Sequence, residues 1–188
     1  MRAEDSNITL SAALAAVHSA FEGVRLDGGV SLVQARAMDD YQPVPPQSDE
    51  NDARWQDVTD ETLRNYNDVH PFLCARSFRF YIPAFMSWIL RHLDDVDGRD
   101  SGLADSAIFF LIPSNVDFPE TPPAPPRFSL LSHAQRHAIS LFLRYVSANS
   151  ECHRPEAEQA INDFWGDYCS AGVGGLGSGG EEGRAANR

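Results

Sequence analysis

The stretch FRFYIPAFMSWILRHL, residues 78–93, decides the fold that this sequence predicts. Five of its first eleven residues are aromatic, and from Pro83 onward apolar side chains fall on nearly every side of a helix. A helix that is apolar all round belongs in the interior of a domain. The run from residue 83 to residue 93 is also too short to span a bilayer. We therefore predict a buried central helix over about residues 83–94.

Pro83 is expected to open this central helix rather than to lie inside it. A proline in a helix interior removes one backbone hydrogen bond and clashes with the preceding turn, whereas the first turn of a helix tolerates proline well. We therefore predict a break in the chain between Tyr81 and Pro83. Gly98 suits the chain reversal that follows the helix.

Apolar residues at helical spacing predict further helices on both sides of the central one. The first covers residues 8–22, and Asn7 or Thr9 can cap its start. Four more are predicted from their capping or opening residues, which are Ser31, Thr59, Ser132 and Pro155. The apolar stripe of the last one continues to Tyr168. Residues 104–112 stay open between a buried strand and a buried helix, because five consecutive apolar residues fit both.

Three segments lack the periodicity of helices and strands. A linker of prolines and acidic residues covers residues 41–53, and a proline-rich loop covers residues 117–127. A glycine-rich tail at residues 170–188 is expected to be disordered. The sequence therefore predicts a mainly α, compact single-domain bundle of six or seven helices over residues 8–169.

The chain carries a large excess of acidic residues. With 15 basic and 27 acidic residues, its net charge is −12 over 188 residues. Because nucleic acids and anionic membranes are bound through Lys and Arg, neither is expected as a partner, whereas a basic protein is. The three cysteines lack CxxC spacing, which makes a disulfide framework or a zinc site a poor interpretation. Reduced thiols in a cytoplasm fit better.

Motifs that carry chemistry are incomplete or wrongly placed in this sequence. The GxGxxG pattern that starts at Gly172 follows a helix, whereas a dinucleotide site needs a preceding strand. His133 and His137 have a metal-binding spacing, but Ala134 stands where zinc hydrolases carry their glutamate. The loop around Gly98 lacks calcium ligands at both ends. We therefore predict no catalytic, cofactor-binding or metal-binding residues, and no cofactor.

Four segments together resemble a family of uncharacterised bacterial proteins of about this length. They are the segment around Trp55, the run FRFYIPAF at residues 78–85, the helix LSHAQRHAISLFLRY at residues 131–145, and an alanine-rich helix that ends in Phe164 and Trp165. The resemblance covers roughly residues 8–168, and FRFYIPAF is its most specific part. It implies a shared fold unit and a bacterial, cytoplasmic setting, and it implies no activity.

Two hypotheses of function follow from these observations. The first is a non-enzymatic, cytoplasmic protein-binding module that neutralises or regulates a basic partner protein through charge complementarity. The second is a small enzyme with a site near His70, Arg79 and Tyr81, which are titratable residues close to the aromatic core. We treat these three as a speculative functional cluster, in which a buried Arg79 would need a carboxylate partner.

Overall fold

The computed structural model of the protein describes residues 8–46, 54–93, 101–113 and 126–169. Over these residues the chain forms seven α-helices and no β-strand, which confirms the mainly α fold class. In chain order the helices are α1 Leu10–Ala20, α2 Leu32–Asp39, α3 Asp60–Asn65, α4 Ala75–His92, α5 Ser101–Phe109, α6 His133–Asn149 and α7 Arg154–Asp163. The predicted tail, most of the predicted proline-rich loop and the second half of the predicted linker lie outside the described residues.

One hydrophobic core joins the helices, because each of the seven contributes buried apolar side chains to it. This is the arrangement expected of a single domain. The domain bounds at residues 8 and 169 stay a prediction. Around α4, α1 packs against both α4 and α6, α6 packs against α7, and α5 contacts α4 and α7. The two short helices lie beside this group, with α3 against α4 and α2 against the turn His70–Phe72.

The buried central helix is confirmed in α4, where residues 81–90 are all buried. The predicted break between Tyr81 and Pro83 is wrong, since α4 begins at Ala75 and continues through Pro83. An interior proline costs a helix roughly 3 kcal/mol, whereas each large apolar side chain buried contributes about 1.5–3 kcal/mol. The burial of the aromatic residues on both sides of Pro83 therefore outweighs the cost of the proline, and α4 stays helical there.

Helix starts agree well with the capping residues read from the sequence. Thr9 caps α1, and Thr59 caps α3 through a bond from the backbone N–H of Thr62. Ser31 and Ser132 each form a capping box with the glutamine three residues later. Residues 104–112, left open between strand and helix, lie mostly in α5.

Tryptophan indoles fix two connecting segments to the core. Trp55 is 2 % exposed, and its Nε1 donates to the backbone carbonyl of Phe21 at 2.9 Å. Trp165 Nε1 donates to the carbonyl of Leu111 at 2.7 Å. The last helix ends at Asp163, short of Tyr168, and a 3-10 turn over Trp165–Tyr168 follows it. A side chain at Gly166 would meet the Ile161 carbonyl at 2.9 Å, so this turn requires glycine.

Candidate functional site

A recess of the protein lies between α2 and α3, and we call it the α2–α3 cleft. It is an open cleft of about 610 Å³, within the size range of ligand-binding pockets. One wall is the start of α2 together with Pro45 and Pro46, and the other is α3 with the residues that precede it. Tyr81 of α4 also lines the cleft and is only 1 % exposed, so it lies at the base.

Local sequence fixes both walls of the α2–α3 cleft. The Ser31 capping box sets the start of α2, so that Leu32 is buried and Val33 is left 49 % exposed at the cleft. Gln34 Nε2 donates to the backbone carbonyl of Pro45 at 2.9 Å, which ties the proline segment to α2. Both walls therefore exist before any partner arrives.

The charges that line the α2–α3 cleft are all negative. Asp57 and Glu61 line it, and no Lys, Arg or His is found among its described lining residues. Arg54 lies 3.8 Å from Asp57, but both side chains are more than half exposed, and such pairs are weak and screened by salt. Glu61 has no ion pair with any described residue. The cleft is therefore suited to a positively charged group.

Exposed apolar side chains concentrate in the stretch of chain that runs from α2 to the prolines of the cleft. Six large hydrophobic residues are exposed in the described part of the chain, and three of them, Val33, Tyr41 and Val44, lie within twelve consecutive residues. Of these three, Val33 lines the cleft. Tyr41 is 97 % exposed and has a φ of 54°, because it ends α2 in a left-handed cap in which the N–H of Gln42 donates to the Ala37 carbonyl at 2.8 Å.

The structure places His70, Arg79 and Tyr81 in three different surroundings. Tyr81 lines the base of the cleft, whereas Arg79 Nη2 lies 3.9 Å from the Asp27 carboxylate near the start of α4. The two side chains are 27 % and 61 % exposed, so this is a partly solvated ion pair and not the partner of a buried arginine. Residues two apart on a helix do not face each other, so Arg79 and Tyr81 point to different sides of α4.

His70 is enclosed by aromatic rings rather than directed at a cleft. Its ring centroid lies 4.6 Å from that of Phe85 and 4.9 Å from that of Phe110, and its Nε2 finds no partner among the described residues. Burial lowers the pKa of His70 from 6.5 to about 4, with the charge of Asp68 raising it and that of Arg127 lowering it further. His70 is therefore neutral near pH 7 and closed to solvent.

Cys74 is the most reactive thiol that the structure indicates. It occupies the N-cap position of α4, and its Sγ lies 3.2 Å from the Ser77 hydroxyl. Burial raises its pKa, but hydrogen bonds from Ser77 and from backbone groups outweigh that effect, and the pKa falls from 9.0 to about 7. Thiolates of this kind are good nucleophiles. No group of three or more His, Cys, Asp or Glu residues in the described ranges could hold a metal ion.

Sequence reasoning did not find the residues that form the α2–α3 cleft. Val33 lies outside the inward stripe of Leu32, Ala35 and Met38, and this was a usable signal that its side chain is exposed. Glu61 carried no such signal, because glutamate in a first turn is common on ordinary helices. The two histidines with metal-binding spacing differ in their surroundings, since His133 is exposed, whereas His137 Nδ1 donates to the Tyr168 carbonyl at 2.7 Å.

The fold and site define a mainly α-helical domain with an open, acid-lined cleft. Residues 9–169 match a family described as "Family of unknown function (DUF6714)", and the chain belongs to this family. This confirms the resemblance to an uncharacterised family and supplies no activity. No curated protein and no solved structure matches the chain. Within the described ranges, no helix has both the length and the apolar character needed to cross a membrane.

Proposed function

We propose that the protein is a non-enzymatic, cytoplasmic protein-binding module of bacterial origin, and that the α2–α3 cleft is its binding face. The partner is a basic protein, which the module neutralises or regulates. A net charge of −12 speeds the encounter of such a pair, and complementary charges make it selective.

One observation carries this proposal: the cleft combines acidic charge that has at most a weak, exposed ion pair with exposed apolar side chains. Apolar patches rimmed by polar groups mark interaction sites on proteins, and Val33, Pro45 and Pro46 supply the apolar part here. Glu61 and Asp57 supply the charge. A surface with only the acidic charge would serve solubility, and a surface with only the apolar residues would not select a basic partner.

The alternative function, a small enzyme near His70, Arg79 and Tyr81, has weaker support. A catalytic group must reach the substrate, and His70 and Tyr81 are 2 % and 1 % exposed. One observation favours it, since Tyr81 lines the same cleft. A Tyr81→Phe variant separates the two hypotheses, because it removes only a hydroxyl and leaves the charge of the cleft intact. We expect this variant to retain full partner binding.

Site-specific photo-crosslinking in the native host tests the proposal. A photoreactive residue takes the place of Asn65, which lies at the end of α3 and lines the cleft. The matched control replaces Asn162, an exposed residue near the end of α7. We expect one basic protein to be captured from position 65 in stoichiometric yield and not from position 162.

Two results would contradict the proposed function. One is the absence of any protein captured from position 65 in cells that contain the folded protein. The other is capture of the same proteins in equal yield from both positions, because random collisions produce that pattern. Capture of an acidic protein from position 65 would overturn the charge part of the proposal.

A further inference from the structure

We propose that the α2–α3 cleft recognises an arginine side chain of the partner protein. This inference rests on the proposed function and adds the chemical form of the bound group. It is carried by the volume of the cleft, by the backbone of its walls and by the kinds of side chain that line it.

The α2–α3 cleft is large enough to receive a long side chain. Its volume of about 610 Å³ falls within the range of ligand-binding pockets.

The backbone of the walls prevents recognition by strand addition. Adding a strand requires a row of free backbone N–H and C=O groups. Pro45 and Pro46 have no N–H, and the Pro45 carbonyl already accepts a hydrogen bond from Gln34. The opposite wall is α3, whose backbone groups bond within the helix or to the Thr59 cap. Side chains must therefore provide most of the recognition.

The side chains that line the α2–α3 cleft fit a guanidinium group. Glu61 and Asp57 offer carboxylates, and Tyr66 offers an aromatic ring. Arginine forms paired hydrogen bonds with a carboxylate and stacks on aromatic rings with its flat face. Lysine offers a point charge and cannot form the paired hydrogen bonds. The apolar walls at Val33 and the prolines accept small apolar residues beside the arginine.

Peptide titration of the full chain, followed by amide NMR signals, tests the inference. The probe is the capped peptide Ala-Ala-Pro-Arg-Pro-Ala, compared with versions that carry lysine or glutamate in place of arginine. We expect the arginine peptide to shift the amide signals of Val33, Glu61 and Tyr66, and to bind less tightly as salt screens the charges. The lysine peptide should bind several-fold more weakly, and the glutamate peptide should not bind.

Two glutamate-to-glutamine variants test whether the peptide binds in the cleft. Glu61→Gln removes one cleft carboxylate from the first turn of α3, and Glu156→Gln removes an exposed carboxylate from the first turn of α7. Loss of a charge-assisted hydrogen bond should weaken binding of the arginine peptide about tenfold in the first variant. The second should bind like the parent. Circular dichroism confirms that both variants fold.

Several outcomes would overturn the inference. They are the absence of cleft shifts at millimolar arginine peptide, equal affinity for the lysine peptide, or equal weakening in both glutamine variants. Failure here is distinguishable from failure of the proposed function. If a basic protein is captured from position 65 but the arginine peptides do not bind, the inference is wrong and the proposed function stands. If the peptides bind but no protein is captured, the proposed function is wrong.

Discussion

Helix α4 and the α2–α3 cleft use apolar side chains in opposite ways. In α4 every residue from 81 to 90 is buried, including a proline that disfavours the helix. At the cleft, Val33 is left 49 % exposed although it is apolar. The core therefore accepts an unfavourable residue for the sake of packing, whereas the cleft keeps unfavourable exposure that packing does not explain. This difference agrees with a stabilising role for α4 and with the binding role that we propose for the cleft.

The largest difference between the two regions should appear on truncation to alanine. Phe85 is fully buried in α4, so Phe85→Ala should reduce the unfolding free energy by about 3–5 kcal/mol. Val33→Ala at the cleft should change it by less than about 0.5 kcal/mol. Urea denaturation of both variants measures these values. Similar losses at the two positions would remove the contrast between core and cleft.

Acid should destabilise the core through His70. The folded protein keeps His70 neutral down to a pKa of about 4, whereas the unfolded chain binds a proton below about 6.5. The unfolding free energy should therefore fall as pH is lowered from 6.5 to 4, by about 1.4 kcal/mol per pH unit and about 3 kcal/mol in all. His70→Gln should remove this part of the pH slope. His133→Gln, at an exposed position, should keep the slope, and an unchanged slope in His70→Gln would contradict the account.

Two buried tryptophans offer a smaller test of what holds the core together. Trp55 Nε1 donates to the Phe21 carbonyl, whereas Trp88 Nε1 finds no acceptor among the described residues. Replacing Trp55 by phenylalanine removes a hydrogen bond and should cost about 1–2 kcal/mol more than the same change at Trp88. Thermal and urea unfolding of the two variants give the difference. A larger loss at Trp88 would show that ring packing alone governs both sites.

The smallest effect is expected at Tyr41, which follows α2 in a left-handed conformation. Glycine adopts a φ of 54° without strain, whereas alanine keeps the strain of a Cβ atom. Tyr41→Gly should therefore be more stable than Tyr41→Ala by up to about 1 kcal/mol, and neither should be much less stable than the parent. Urea midpoints measured side by side decide this. A clear loss of stability in both variants would show that the Tyr41 ring packs against the protein.

Much of the fold could be predicted because its signals are local. The caps at Ser31, Thr59 and Ser132 follow from hydrogen bonds that span three residues, and apolar spacing identified the buried helix. The start of α4 could not be predicted in this way. Local rules place Pro83 at a helix start. The burial of the surrounding residues reverses that preference, and this burial depends on the whole fold.

The candidate site could not be predicted, because its walls are distant in sequence. Val33 and Glu61 lie on two short helices that are joined by a proline-containing linker. No local sequence pattern predicts that the two residues line the same cleft. Reading the core for titratable groups led instead to His70, Arg79 and Tyr81. Of these, only Tyr81 lines the cleft.

A pair of lysine variants tests the division between core and binding face most directly. Val33 and Leu10 are both exposed apolar residues in the first turn of a helix, but only Val33 lines the cleft. We expect Val33→Lys and Leu10→Lys to remain within about 1 kcal/mol of the parent in unfolding free energy. Val33→Lys should lose capture of the basic partner, and Leu10→Lys should retain it. Retention of the partner by Val33→Lys, or its equal loss from both variants, would contradict the account.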